Sequence, residues 1–351
     1  MSRTSPPGWF IVERLNEQII GSNNNTHMNI KSVQDKLQNQ INNIVMGSAA
    51  GYTGQQPNSV AIGSAAGLNG QQERSVAIGF NAGENGQQSS SVAIGDRAGE
   101  IGQKTKSVAI GSSAGKIGQQ TTSVAIGYAA GFTGQQSSSV AIGPNAGENG
   151  QQSSSVAIGY SAGENGQQSS SVAIGDSAGY DLQGTNAVAI GCSAGFTGQQ
   201  SNSVAIGSAA GEYGQQSRSV AIGFAAGEYG QQKRSVAIGD SAGFHLQGTN
   251  AVAMGNSAGN IGQGLGSVAI GPYAGNNGQG NYSIAIGYHA GRYGQPNNSI
   301  ILNASHTTPT TPTDEGFFVH PVKGVTGISG THYKQLYYDP TSGEIVYLDT
   351  T

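Results

Sequence analysis

One cysteine, Cys192, stands in 351 residues, so no internal disulfide is available and a disulfide-stapled secreted domain is excluded. Charge is sparse too: 10% of residues are Asp, Glu, Lys or Arg, and the formal net charge is -4. With no basic run there is no electrostatic footprint for nucleic acid, and none is expected as a partner. No apolar run approaches the length of a membrane span. The opening, Met1-Ser2-Arg3-Thr4-Ser5-Pro6-Pro7, lacks the apolar core of a secretory signal, which favours a protein made in the cytosol. His27, His245, His289, His306, His320 and His332 show no metal-ligand spacing. The Gly-x-x-Ala-Gly runs have no following helix, which a dinucleotide site requires. These absences leave no catalytic residue, metal ligand or cofactor to assign, and the chain is read as not an enzyme.

Glycine, by contrast, is abundant, with 58 residues. A three-residue period is missing, which excludes collagen, and the regular apolar beat excludes a disordered chain. The beat is Ser59-Val60-Ala61-Ile62-Gly63, and its glycine recurs every sixteen residues from Gly47 to Gly287 without insertion or deletion. A period that strict, where ordinary loops vary in length, marks one turn of a stacked solenoid.

One period reads S-V-A-I-G-x-x-A-G-x-x-G-Q-Q-x-x. Val60 and Ile62 alternate with Ala61 at the period of a strand, and the glycines are too dense for a helix. The expected coil has two short strands joined by glycine turns, around a perimeter of about 50 Å. Val and Ile are expected to fill each roll, while Ala61 and Ala66 and their equivalents face sister chains. A single roll then buries too little to offset an ordering entropy of about 1–2 kcal/mol per residue, so a homotrimer is expected.

The S-V-A-I-G-x-x-A repeat resembles the head repeat of trimeric autotransporter (YadA-like) adhesins. The resemblance spans residues 44 to 302, about three quarters of the chain. It implies an all-β fold, a left-handed parallel β-roll assembled as a trimer. The bacterial repeat is usually shorter; this one carries an added Gly-Gln-Gln turn. Similar repeats occur in fibre and spike proteins of large DNA viruses and phages. With neither a signal peptide nor a membrane barrel evident, that branch is favoured. The expected function is a virion-surface fibre for host attachment or decoration, with a shaft of about 75–80 Å. A bacterial-type adhesin passenger at the cell surface and a purely structural filament are the alternatives.

The flanks divide further. Residues 1–27 form an attachment segment, in which Trp9 and Phe10 could anchor the fibre to a capsid or baseplate protein or pack on the chain itself. Residues 28–43 carry a helical stripe, Ile30, Val33, Leu37 and Ile41, read as a short coiled-coil stalk. The β-roll is placed at 44–303. A Thr/Pro linker at 304–315 is expected to end the stack, since proline prevents ladder pairing. A tip module at 316–351 follows, with a hairpin around Asp339-Pro340-Thr341-Ser342-Gly343.

Within the roll, glutamine recurs at Gln55, Gln71, Gln87, Gln103, Gln119, Gln135, Gln151, Gln167, Gln183, Gln199, Gln215, Gln231, Gln247, Gln263, Gln279 and Gln295. Stacked about 4.8 Å apart, identical amides can bond up the axis, so these are assigned a structural ladder. Two coils depart together: Leu182 and Leu246 replace the third glycine, and Gly184 and Gly248 replace the second glutamine. A changed turn type is expected there. Candidate recognition residues are the variable aromatics Phe80, Tyr128, Tyr160, Phe224, Tyr213, Tyr229, Tyr288 and Tyr293, which either read a host glycan or protein receptor or cover glycine turns. Glu148 and Glu164, and Glu212 and Glu228, occupy stacked equivalents; plain solvation is favoured over a bound cation.

Overall fold

The computed structural model describes residues 42–307, 313–322, 336–339 and 341–347. Trp9, Phe10 and the stalk up to residue 41 lie outside them; Asn42 and Asn43, the end of the expected stalk, are not helical. The chain divides into two compact units, one ending at Ser138 and one beginning at Ser139.

Both units are parallel β-solenoids. In the first, strands β1 (Ile44–Met46), β2 (Val60–Ile62), β3 (Val76–Ile78), β4 (Val92–Ile94), β5 (Val108–Ile110) and β6 (Val124–Ile126) pair in order. Each residue lies beside its equivalent sixteen positions on, as in Ala61 against Ala77. The second unit repeats this from β7 (Val140–Ile142) at the same step to β15 (Val268–Ile270), then β16 (Ile284–Gly287) and β17 (Ile300–Asn303). Instead of two strands per coil, a coil has one strand of three residues, four in β16 and β17, and a single bridging residue such as Asn69 between Thr53 and Asn85. Glycine punctuation is too dense for a second strand.

Which side of the strand faces inward is the reverse of the expectation. Ala61, Ala77, Ala93 and their equivalents to Ala285 are 0% exposed within a single chain, as are Ala66 and its equivalents to Ala290, while Val60 and Ile62 point outward and are half-buried. Alternation shows only which residues share a face. The width of the roll decides which face is inside, and turns this tight leave no room for two β-branched side chains. The interior holds Ala61, Ala66, Ser75 and Gln71, all fully buried.

The glutamine amide spans that interior. Gln71 Nε2 donates to the Val60 carbonyl at 2.8 Å and to Gln87 Oε1 at 3.2 Å. In the second unit the same pattern runs from Gln151 to Gln295, at 3.0–3.1 Å from amide to amide. Ser75 Oγ donates to the Gln72 carbonyl at 2.5 Å, closing the corner. The fully buried glutamine amides and the corner serine are thus paired, as burial demands.

Five of the sixteen residues in a coil have positive φ, as at Gly63 (126°), Ala65 (56°), Gly67 (56°), Gly70 (72°) and Arg74 (58°). Non-glycine residues there cost about 1–2 kcal/mol each. Cross-coil bonds offset it: the Ala65 amide donates to the Ser48 carbonyl at 2.8 Å, and Arg74 to Pro57 at 3.2 Å. Two glycine columns are obligatory for space as well as φ. A Cβ on Gly63 would overlap the Gly79 carbonyl, and one on Gly67 would sit 2.6 Å from Gln71 Oε1.

The turn type at Leu182 and Leu246 is unchanged, against expectation. Both keep the left-handed conformation of the glycine they replace, with φ of 56°. The Leu182 amide still donates to the Asn165 carbonyl, and Gln183 stays in the ladder. The coil below and the coil above impose the conformation, and the leucine accepts it.

The sheet also continues past the last repeat. Phe317–His320, β18, pairs parallel with β17, with Ile300 beside Phe317. The expected linker therefore does not end the sheet; its residues 308–312 are outside the described ones. Asn303 caps the repeat, its Nδ2 donating to the Tyr288 and Thr307 carbonyls at 2.5 and 2.9 Å. β19 (Leu336–Tyr338) and β20 (Ile345–Tyr347) pair antiparallel. Their turn is closed by the Asp339 carboxylate, which accepts from the Thr341 amide at 2.8 Å and Ser342 Oγ at 2.9 Å. The Thr341 bond leads in holding the Asp339 carboxyl below its usual range.

Replacing Gln167 with leucine leaves the Val156 carbonyl and the neighbouring amides without their partner. Hydrogen exchange should show the flanking coils destabilised by about 1–3 kcal/mol, with distant coils of the same unit unaffected. Gly175→Ala puts a Cβ 2.7 Å from the Gly191 carbonyl at φ 131°, and should lower stability by more than about 2 kcal/mol in chemical denaturation. Leu182→Gly should do the opposite, raising stability by about 1 kcal/mol through relief of its left-handed backbone.

Candidate recognition surface

Turn residues that follow the two glycines of each coil point outward, so the sixteen-residue step arranges them in columns. Phe80 and Tyr128 in the first unit, and Tyr160, Phe224 and Tyr288 in the second, share the column directly after the strand's glycine. All are exposed, and within each unit at least two coils lie between one and the next. No ring pair forms between any two of them among the described residues. Phe80 has the Arg97 guanidinium 6.0 Å from its ring, and Tyr288 stacks on His289 at 3.8 Å. Burial, with Arg292 close by, holds the His289 imidazole below its usual value.

The other turn is different. Tyr213 and Tyr229 stack at 5.3 Å with planes 14° apart, 40% and 39% exposed. The structure joins them to variable aromatics of the adjacent sequence column. Tyr180 stacks on Phe196 at 5.0 Å, Phe196 meets Tyr213 edge-on at 6.3 Å, and Tyr229 meets Phe244 at 5.3 Å and His245 at 6.0 Å. A strip of rings thus crosses five successive coils of the second unit. Tyr180, Phe196 and Phe244 sit one residue before the column of Tyr213 and Tyr229, so sequence columns separate what packing unites. Tyr293 lies further along in the same column, with the Arg292 guanidinium 4.9 Å from its ring.

Carboxylates edge this strip. Tyr180 Oη donates to Glu164 Oε1 at 3.2 Å, and the Glu164 charge leads in raising the Tyr180 phenol. Tyr213 and Tyr229 are raised in the same way by hydrogen bonding to Glu212 and Glu228. Burial first, then the stacked Glu164, raises the Glu148 carboxyl; burial leads again at Glu228, with Glu212 adding to it. Among the described residues no group of three His, Cys, Asp or Glu is placed to hold a metal ion. In the first unit the same column pairs a cation with the carboxylate: Lys116 Nζ lies 3.5 Å from Glu100 Oε2 and 5.2 Å from the Phe132 ring centroid.

Chemically, rings with hydrogen-bonding carboxylates at their edge suit a ligand with an apolar face and polar rim. Half-buried Val and Ile form a second outward apolar surface along the strands, which alternation left unassigned to the outside. No helix among the described residues is long and apolar enough to cross a membrane. Comparison with protein-family models, with curated proteins and with solved structures finds no match to this chain.

The raised Glu148 and Glu228 carboxyls set a pH dependence. A carboxyl titrating higher in the folded state favours folding when protonated, so its contribution is present below the unfolded value and lost as pH rises through the folded one. Glu148→Gln and Glu228→Gln should therefore raise the thermal midpoint at neutral pH and leave it unchanged near about pH 3.5.

Proposed function

We propose that this chain is a non-enzymatic, homotrimeric fibre or spike on the surface of a virus particle, serving host attachment or decoration. The observation that carries it is the outward face of the strands. A core of alanine, serine and glutamine buries little apolar surface, while every strand from β2 to β16 turns two large apolar side chains to the outside, Val or Ile throughout except for Met254 in β14. Isolated soluble chains rarely show apolar patches of more than a few hundred Å². Three rolls brought together through their Val/Ile faces would bury those rows, supplying what the thin core lacks. The interface assigned earlier to alanine passes to Val and Ile.

The virion reading rests on the resemblance of the repeat to those of viral and phage fibres, and attachment is supported by the exposed aromatic strip with its carboxylate edge. A capsid or baseplate protein is the proposed anchor for the N-terminal segment, and a host glycan or protein the proposed receptor.

Sedimentation at low micromolar concentration should give three times the chain mass of 35.4 kDa. Lysine at Val156, Ile158, Val172 and Ile174 together should shift the mass toward the single chain, with far-UV circular dichroism retained. A folded wild-type monomer would sink the trimer, and open-ended polymers would replace it with a filament.

A further inference from the structure

Away from the aromatic strip, the second unit has a groove of about 510 Å³ lined by Ser201, Asn202, Ser217, Arg218, Lys233, Arg234 and Thr249. Arg218 and Arg234 are equivalents one coil apart, with Lys233 beside them, and all three are exposed. Like charges stacked at about 4.8 Å strand spacing repel. Among the described residues none of the three has a carboxylate partner; the ion pairs are Arg74 with Glu73, Arg97 with Asp96, and Lys116 with Glu100.

The same turn in the first unit shows what is missing. There Arg74 follows Glu73, and its Nη2 bonds Glu73 Oε1 at 2.9 Å. In the second unit the residue before each arginine is Ser217 or Lys233, so the neutralising carboxylate has become a hydroxyl or a second cation. Backbone bonds hold the turns in place: the Arg218 amide donates to the Ser201 carbonyl at 3.3 Å and Arg234 to Ser217 at 3.2 Å. The three charges therefore sit on a fixed backbone, in a chain whose net charge is -4.

We propose that this groove is a binding site for the oxyanion groups, sulfate or carboxylate, of an acidic glycan. Two guanidinium forks one coil apart fit planar or tetrahedral oxyanions bidentately, and Lys233 adds a point charge. Ser201, Asn202, Ser217 and Thr249 supply the hydroxyl and amide groups that sugar hydroxyls bond. No aromatic ring lines the groove to stack a base, and three cations on an acidic chain are too few to track a nucleic-acid backbone. The site deepens the attachment reading by naming a ligand class, and it resides in the turns of one chain whatever the oligomer.

The test is titration calorimetry of the full chain with a heparin-derived octasaccharide at about 50 and 200 mM salt, and with an oligogalacturonate that carries carboxylates alone. Binding to the heparin fragment should weaken with salt, and the oligogalacturonate arm tells whether carboxylate suffices or sulfate is needed. Arg218→Gln/Lys233→Gln/Arg234→Gln should lose about tenfold or more in affinity, while Lys104→Gln/Lys106→Gln, in the same turn of the first unit, should lose none. Absence of binding at the lower salt would overturn the site, as would equal loss in both variants, or single-stranded DNA of matched charge binding as tightly. Mass measured on the same sample separates the two ideas: a trimer without binding removes the glycan site alone, and a binding monomer removes the trimer alone.

Discussion

A primary amide laid across the inside of each coil holds the solenoid to its dimensions. Gln71 and its equivalents reach from the turn to the strand carbonyl of their own coil and to the amide of the next, fully buried from the solvent that could replace either partner. An amide of fixed length sets the distance between the two walls. Alanine is the side chain that fits the remaining space on either side of it, and a buried serine closes the corner. Gly67 and its equivalents follow directly, because a Cβ there would collide with the glutamine oxygen. The strict period is then a packing requirement: an inserted residue would displace one rung and leave two amides unpaired.

The period, the parallel β-solenoid and the glutamine stack were legible in the sequence because each is a repeat property, visible from like residues at like spacing. The orientation of the strand was not. V-A-I alternation separates two faces without naming the inner one, and hydrophobicity favours Val and Ile inside. Width overrides hydrophobicity here, since a coil this narrow admits alanine but not two branched side chains. Leu182 was misread for a related reason. A local rule assigns glycine to left-handed turns, but neighbouring coils above and below impose the conformation on whatever residue stands there. Phe317 was separated from the roll because its step from Ile300 is seventeen residues rather than sixteen, which a search at fixed period passes over.

The recognition surface was legible residue by residue and not as an arrangement. Tyr213 and Tyr229 were visible as exposed aromatics, but their continuity with Tyr180, Phe196 and Phe244 crosses between adjacent columns and depends on how rings lean. Arg218 and Arg234 carry a readable signal, their sixteen-residue separation. What gives it meaning is the lost acidic neighbour, seen by comparison with Glu73 and Arg74 in the equivalent turn.

Since each residue of the roll lies over its equivalent sixteen positions on, the outward positions form a grid whose rows are coils and whose columns are fixed by the fold. Interior squares are committed to alanine, serine, glycine and glutamine, and outer squares are free. Change in an outer square leaves the ladder of amides and the glycine columns in place, so charge, rings and hydroxyls can be rewritten at small cost in stability. Removing or copying a whole row inside either unit creates no seam, because both cut edges are identical. Such a molecule can alter its length and its surface text by separate genetic events, the first by recombination between rows and the second by point substitution.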